Sequence, residues 1–258
     1  GRHSNAFTPK FKGMEKFKGT FLHSAQYKSP ESHELKNKNV VVIGIGNSGS
    51  DIACELSMVA KSVHLVSRSG GYVFDLKKVP LTSLGQGGRI ATIISDSIPW
   101  RWKEKAVQNI IKSGAFGNQT ALFDAGLQPK HGFLQAHPTG TGLHGPNFIE
   151  CVEKGKIKIH RNLSEIKENS VIFEENEKPI EIDVIISATG YKSGIDFLDT
   201  NVVDLRVDRP DNKVPLYLGM FVPQKRFQSL CFINFVQSAS FLCADLQTRL
   251  FFQLAKGA

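Results

Sequence analysis

The stretch Val40-Val41-Val42-Ile43-Gly44-Ile45-Gly46-Asn47-Ser48-Gly49 decides the fold of this 258-residue chain. Four consecutive β-branched residues predict a strand that is buried on both faces, as in a parallel sheet. A glycine turn follows, and apolar residues then recur at helical spacing between positions 52 and 60. A second apolar strand is expected at 62–67. Strand, turn, helix and strand in this order predict a βαβ unit.

The three glycines of the turn have different expected roles. Gly44 permits the sharp turn out of the strand, Gly46 lets a pyrophosphate approach the backbone, and Gly49 allows the helix to pack closely. The helix N-terminus offers N–H groups and a partial positive charge to phosphates. We therefore expect the pyrophosphate of a dinucleotide to bind Gly44, Gly46, Asn47, Ser48 and Gly49. A purely structural turn is the alternative reading.

The same glycine pattern recurs at Gly140-Thr141-Gly142-Leu143-His144-Gly145. No apolar strand precedes it, because the residues before it include His137 and Pro138, and Pro146 follows directly. The strand–turn–helix context that the motif requires is missing. We therefore predict a loop throughout the Gly- and Pro-rich stretch 129–146, and no nucleotide site there.

The end of the second strand indicates which nucleotide is bound. NAD-binding units place an acidic residue there to hold the ribose 2′-hydroxyl. This chain instead has Ser67-Arg68-Ser69. An arginine grips a phosphate through two N–H groups. We therefore predict NADP(H), with Ser67 and Arg68 holding the 2′-phosphate; the alternative is that Arg68 is an ordinary surface residue.

Composition narrows the remaining classes of function. The net charge is +8, but the lysines are scattered and no nucleic-acid-binding motif accompanies them. The four cysteines fit neither a metal site nor a disulfide framework, which predicts a reducing compartment. No signal peptide is evident, and the longest apolar run, near 230–236, is too short to cross a bilayer. We expect no nucleic-acid partner and no membrane span in this chain.

Other elements follow from shorter patterns. Further strands are expected at 20–22, 157–159, 171–173, 184–187 and 231–236. Further helices are expected at 106–113, with another before it from 90, and at 148–153 and 244–254.

Several segments carry motifs that point to one protein family. Residues 17–28, Phe-Lys-Gly-Thr-Phe-Leu-His-Ser-Ala-Gln-Tyr-Lys, resemble the fingerprint F-x-G-x-x-x-H-S-x-x-Y-[KR] of flavin-containing monooxygenases, which stands just before the NADPH glycine turn in that family. Residues 44–53 look like the family's GxGNSGxDIA, and Ser187-Ala188-Thr189-Gly190-Tyr191 looks like its ATGY motif. Weaker similarity lies at 129–131, 137–138, 235–237 and 245–249, so the resemblance covers nearly the whole chain. The family's first glycine motif is absent, and residues 139–145 and 193–195 depart from its pattern.

The resemblance implies an α/β fold in which a Rossmann-like NADPH-binding domain is inserted in a second, here incomplete, FAD-binding α/β domain. The expected boundaries are a lead-in at 1–38, the NADP-binding domain at 39–180 and part of the FAD-binding domain at 181–258. The implied cofactors are NADPH and FAD, and Gln247 is expected to touch the flavin. No side-chain catalyst or metal is implied, and His23 is expected to have a structural role.

The implied activity is insertion of one oxygen atom of O2 into a small amine or sulfide, through a flavin C4a-hydroperoxide. The resemblance also implies N,N-dimethylaniline monooxygenase activity, xenobiotic metabolism and the cytosolic face of the endoplasmic reticulum membrane; this chain alone is expected to be soluble and cytoplasmic. The alternatives are a catalytically inactive NADP-binding fragment, a Baeyer–Villiger or N-hydroxylating monooxygenase, and a basic nucleic-acid-binding module. A disulfide reductase is disfavoured because the chain has no CxxC pair.

Overall fold

The computed structural model describes residues 5–75, 98–115, 117–130, 132, 141–144, 147–192, 198, 216–224, 227, 229–233 and 241–256. The chain divides into two compact units, Thr8–Thr189 and the pair of segments Gly1–Phe7 and Gly190–Ala258. One unit is therefore inserted in the sequence of the other, as expected. The division into compact units falls after residues 7 and 189. The boundaries expected at 38 and 180 instead separate regions by the cofactor that each is expected to bind, and they stay predictions.

The described part of the chain contains both strands and helices. The strands are β1 (Asn5–Ala6), β2 (Thr20–His23), β3 (Asn39–Ile43), β4 (Ser62–Val66), β5 (Tyr72–Asp75), β6 (Thr141–His144), β7 (Ile157–His160), β8 (Leu163–Ile166), β9 (Ser170–Phe173), β10 (Asn176–Glu181), β11 (Val184–Ser187) and β12 (Tyr191–Lys192). The helices are α1 (Asn47–Leu56), α2 (Trp100–Lys112), α3 (Gln119–Leu122), α4 (Asn147–Glu153) and α5 (Phe241–Ala255). Short 3-10 turns lie at Met14–Lys16 and Glu31–His33, and a π turn lies at Phe123–Leu127.

A five-stranded sheet forms the centre of the unit Thr8–Thr189. Its order is β2-β11-β3-β4-β7, and all its neighbouring strands are parallel. The carboxyl ends of the five strands therefore meet at one edge, which we call the carboxyl edge. Ligands of open α/β sheets bind outside this edge.

Both faces of the sheet are covered. Successive residues of a strand point to opposite faces, so Val40 and Val42 pack with α1 and α4 while Val41 and Ile43 face the other way. The second face packs on the antiparallel sheet β10-β9-β8, to which it presents Val66 and other apolar residues. Burial on both sides is what the run of β-branched residues at 40–43 predicts.

Most of the predicted elements are present. The strands expected at 20–22, 157–159, 171–173 and 184–187 are β2, β7, β9 and β11, and the helices at 148–153 and 244–254 are α4 and α5. Helix α2 begins at Trp100 rather than 106, and the helix expected from 90 lies in residues that the structure does not describe. Of the strand expected at 231–236, the described residues 231–233 show one bridge, from Cys231 to Phe221.

The loop predicted throughout 129–146 is wrong at Thr141–His144. These residues form β6, which pairs in parallel with β5, from Tyr72 opposite Thr141 to Asp75 opposite His144. Sheet pairing uses backbone groups, so glycines do not prevent it when a partner strand lies alongside. The partner is distant in sequence, and the local pattern of glycines contains no sign of it.

Short elements accompany the main sheet. β1 pairs with β12 in an antiparallel two-stranded ladder within the unit Gly1–Phe7 plus Gly190–Ala258. Within the described ranges, no helix combines the length and the apolar character that crossing a membrane requires. The same ranges contain no group of three or more His, Cys, Asp or Glu side chains placed to hold a metal ion.

Candidate dinucleotide-binding site

The glycine turn lies at the carboxyl edge, between β3 and α1. Gly44 has a φ of +111°, a left-handed conformation that favours glycine. A Cβ atom at Gly44 would collide with the carbonyl oxygen of Ala188, and one at Gly49 would collide with the carbonyl oxygen of Gly44. The backbone geometry therefore requires glycine at both positions, whether or not a ligand is bound.

Gly46 differs from the other two glycines. It is exposed, and a Cβ atom added to it would meet nothing within 4 Å. The α1 ladder begins with the bond from Ser50 N to Gly46 O, at 3.1 Å, so the N–H groups of the first turn point out of the helix at the carboxyl edge. Packing does not explain a glycine here, and the open space leaves the backbone accessible to a ligand.

The ATGY-like segment packs against this turn. Ala188 N donates to the carbonyl oxygen of Ile43 at 2.8 Å, and the Ala188 carbonyl is the group that Gly44 approaches. The hydroxyl groups of Ser187 and Thr189 lie 2.8 Å apart. Two motifs that are about 140 residues apart in sequence therefore meet where β3 and β11 end.

The fingerprint at residues 17–28 has a structural role at the same sheet. A Cβ atom at Gly19 would collide with the carbonyl oxygen of Asp183, which precedes β11. The buried His23 accepts a hydrogen bond at Nδ1 from Ala25 N, at 3.1 Å, and so closes the turn after β2. The Tyr27 hydroxyl donates to Glu55 Oε2 on α1 at 2.7 Å. Burial, reinforced by Glu55, raises the pKa of Tyr27, so this hydrogen bond is kept at neutral pH.

The two residues expected to hold a 2′-phosphate form a corner after β4. Ser67 is only 4% exposed, and its N–H donates to the carbonyl oxygen of His160 at 2.8 Å. Arg68 is exposed, and the carbonyl oxygen of Ser69 accepts from Lys130 N at 3.0 Å. The corner is thus held on both sides, and Arg68 is its accessible cation.

The residue expected to touch the flavin lies in the other compact unit. Gln247 is on α5, and it is 8% exposed. Close by on the same helix, Arg249 Nε donates to Asp245 Oδ2 at 2.8 Å. The role of Gln247 stays a prediction.

Sequence reasoning missed a pair of histidines. His64 Nδ1 lies 2.9 Å from His160 Nε2, and His160 Nδ1 lies 2.6 Å from Glu175 Oε1. Burial lowers the pKa of His64 to about 4. Burial also lowers the pKa of His160, although Glu175 opposes this effect. Only the register that places His160 opposite Val66 brings these residues together, and no local sequence pattern contains that register.

Two thiols also lie close together where α1 packs against α4. Cys54 Sγ and Cys151 Sγ are 3.9 Å apart, and both cysteines are free. Burial and then the neighbouring Cys151 raise the pKa of Cys54 to about 12. Cys54 is therefore a protonated thiol at neutral pH, which makes it a poor nucleophile.

A glycine turn at the carboxyl edge of a parallel sheet, with an arginine after the next strand, defines a Rossmann-type dinucleotide-binding protein. The sequence also matches the family model described as flavin-binding monooxygenase-like over residues 1–258. The chain belongs to this family, whose members are oxidoreductases with FAD and NADPH as cofactors.

Individual relatives agree with the family match. Flavin-containing monooxygenase 5 of Cavia porcellus is 35% identical over an alignment of 265 residues, which covers 100% of this chain and 46% of that protein. Flavin-containing monooxygenase 3 of Rattus norvegicus is 35% identical over 271 residues, with 100% and 47% covered. The chain spans less than half the length of these relatives.

Solved structures show the same fold at low identity. A flavin-containing monooxygenase from Stenotrophomonas maltophilia has a TM-score of 0.58 at 14% identity, covering 97% of this chain and 60% of that one. S-allyl-L-cysteine S-oxygenase from Allium sativum has a TM-score of 0.55 at 20% identity, covering 97% and 40%. These likenesses confirm the α/β fold class.

Proposed function

We propose that this chain supplies the NADPH site of an NADPH- and FAD-dependent monooxygenase that transfers one oxygen atom of O2 to a soft nitrogen or sulfur nucleophile. The observation that carries the proposal is the open backbone at Gly46, at the N-terminus of α1 and on the same edge as Arg68. Family membership supports the oxygenation, and the names of the relatives support the flavin.

The pyrophosphate and the 2′-phosphate of NADPH each have matching groups in the unit Thr8–Thr189. The backbone of Gly44, Gly46 and Gly49, with Asn47 and Ser48, would hold the pyrophosphate, which the positive end of α1 attracts. Arg68 would hold the 2′-phosphate through its guanidinium, with Ser67 beside it.

The flavin would be held in part by Gln247, on α5. When bound, NADPH and the flavin supply the hydride transfer and oxygen chemistry, so the protein needs no side-chain nucleophile. The protein's own task is to bind and orient the cofactors and the substrate and to exclude water. A small amine or sulfide is the proposed substrate class, and the endoplasmic reticulum membrane is the proposed location; both rest on family resemblance.

A second candidate function is NADP binding without oxygenation. It is favoured by one observation: the residues proposed for NADPH all lie within the compact unit Thr8–Thr189, whereas Gln247 lies outside it. The two candidates differ in what they predict for flavin retention and oxygen use.

Replacing Arg68 by Asp tests the NADPH site. The purified chain should bind NADPH more tightly than NADH, and Arg68→Asp should reduce this preference about 10- to 100-fold, the usual worth of charge-assisted hydrogen bonds. Fluorescence titration with each nucleotide gives the two dissociation constants. Arg101→Asp, an equal charge change on the exposed face of α2, is the control and should keep the preference. An unchanged preference in Arg68→Asp would remove Arg68 from the site.

A flavin test separates the two candidate functions. The chain is incubated with excess FAD and desalted, and its visible spectrum is recorded. A retained flavin band, followed by NADPH-dependent oxygenation of a tertiary amine or a sulfide, is expected for the monooxygenase. Nucleotide binding with no retained flavin would favour the second candidate.

A further inference from the structure

A chain of hydrogen bonds ends beside the corner formed by Ser67 and Arg68. It runs from Glu175 to the ring of His160 and on to the ring of His64. His160 is the last residue of β7, and its carbonyl oxygen is the acceptor for Ser67 N. The imidazole pair and the corner proposed for the 2′-phosphate therefore share one residue, His160.

The direction of each hydrogen bond follows from the carboxylate. An ionised carboxylate only accepts, so His160 Nδ1 carries a proton and donates it to Glu175. The other nitrogen of a neutral His160 then accepts, and His64 Nδ1 must donate. Burial lowers the pKa of both imidazoles, so both rings are neutral at pH 8 and each has one defined tautomer, which fixes the pair as one unit.

The ring of His160 has little freedom. Its side chain is 12% exposed. It stacks on Phe173 of β9 with the ring centroids 3.6 Å apart and the planes at 8°. A ring held by two hydrogen bonds and one stacking contact also fixes the peptide group that carries its carbonyl oxygen. The hydrogen bond from Ser67 N to that carbonyl oxygen orients the Ser67 backbone, which continues directly into the backbone of Arg68.

We propose that Glu175, His160 and His64 position the Ser67–Arg68 corner for the 2′-phosphate of NADPH, and that uptake of a proton by the imidazole pair weakens the preference for NADPH over NADH. The inference rests on the NADPH site proposed above and adds the groups that control its specificity. His160 acts through Ser67 and is a positioning residue.

Acid disturbs this arrangement for a structural reason. A protonated His160 presents N–H groups at both nitrogens, so His64 must change from donor to acceptor by changing its tautomer. The charged groups that act on the pair in the described residues are Glu175, which follows β9, and Lys158 on β7; β4 contributes His64 itself, and β9 contributes only the ring of Phe173. Burial lowers the pKa of both imidazoles, so the pair is neutral at pH 8 and takes up a proton only in acid.

The first test removes the carboxylate. The dissociation constants of NADPH and NADH are measured for the purified chain at pH 8, together with Glu175→Ala and the control Glu174→Ala. Glu174 is the neighbouring exposed carboxylate, and it accepts from Asn162 Nδ2 instead of an imidazole. We expect Glu175→Ala to weaken NADPH binding about three- to tenfold, the worth of one net hydrogen bond, with NADH binding and the control unchanged. Equal weakening of both nucleotides would mean a merely structural role and would overturn the proposal.

A second variant and a pH series complete the test. His160→Phe keeps the stacked ring but lacks both nitrogens, so its NADPH preference should be reduced at pH 8. Between pH 8 and 4.5 the wild type should lose preference more steeply than His160→Phe, because the titration of the 2′-phosphate itself is common to both proteins. Parallel pH profiles would overturn the proposal.

The outcome for Arg68 distinguishes this inference from the proposed function. If Arg68→Asp loses NADPH preference while Glu175→Ala and His160→Phe keep it, the NADPH site stands and the positioning role fails. If the wild type shows no NADPH preference, the proposed site fails, and the inference fails with it.

Discussion

At the scale of single residues, the three glycines of the turn fall into two kinds: two that the backbone requires and one that is open to a ligand. Gly44 and Gly49 are required by the backbone of the free protein, since a side chain at either would collide with a carbonyl oxygen. Gly46 faces open space. The sequence pattern predicts glycine equally at all three positions. Only the structure shows that packing requires glycine at Gly44 and Gly49 but not at Gly46.

Two alanine substitutions test this distinction. Gly49→Ala should lower the melting temperature by several degrees, because the turn and helix must separate to admit the Cβ atom. Gly46→Ala should leave the melting temperature nearly unchanged and weaken NADPH binding about tenfold or more, since the methyl group occupies the approach of the pyrophosphate. Thermal melting by circular dichroism and nucleotide titration measure the two effects. If Gly46→Ala binds NADPH normally, the pyrophosphate does not approach the backbone there.

At the scale of elements, the sequence predicts those strands and helices that depend on local patterns of residues. The buried strand β3, the turn and α1 follow from β-branched residues and helical spacing, and the prediction is confirmed. The strand β6 was missed because its partner β5 is distant in sequence. The contact of His64 with His160 was missed for the same reason, since it depends on the register of β4 and β7. Local structure was therefore predictable, whereas the pairing of β5 with β6 and the register of β4 and β7 were not.

The buried imidazole of His64 makes the stability of the sheet depend on pH. Its pKa is lowered from 6.5 to about 4 in the folded protein, so the unfolded chain binds more protons between these values. Stability should be fully present above pH 6.5 and decrease as the pH falls toward 4, by at most about 1.4 kcal/mol per pH unit for this one group. Melting temperatures between pH 4.5 and 8 measure the dependence.

The matched variant for this measurement is His64→Asn. Asparagine keeps an N–H donor for His160 but does not titrate, so its melting temperature should fall less steeply with acid than that of the wild type. Equal slopes in the two proteins would show that His64 does not contribute to the pH dependence.

At the scale of the whole molecule, the unit Thr8–Thr189 contains the complete parallel sheet. β11 lies between β2 and β3 in that sheet, although it follows them by a long stretch of chain. The boundary expected near residue 180 would exclude β11, whereas compactness places it within the unit. The boundaries predicted from the family resemblance divide the chain by the cofactor that each domain binds. The sheet instead shows which segments must fold together for its strands to pair.

Two truncated chains test this organisation. Residues 8–189 should fold cooperatively and bind NADPH, because they retain all five strands. Residues 8–180 should fail to melt cooperatively, since loss of β11 leaves β2 and β3 without their shared partner and removes Ile185 and Ile186, two fully buried residues of the core. Circular dichroism melting and nucleotide titration distinguish the two chains. Cooperative folding of 8–180 would show that β11 is dispensable.

The position of β11 also sets the order of events during synthesis. The ribosome releases β2, β3, α1 and β4 long before residues 184–187, and at the usual rates of translation the interval is on the order of ten seconds. Throughout that interval the edges of β2 and β3 that pair with β11 have no partner, which is the condition under which nascent chains aggregate or recruit chaperones. The nucleotide-binding edge is thus completed by one of the last strands of its unit to be translated, and the yield of folded protein depends on how well the early strands are protected until then.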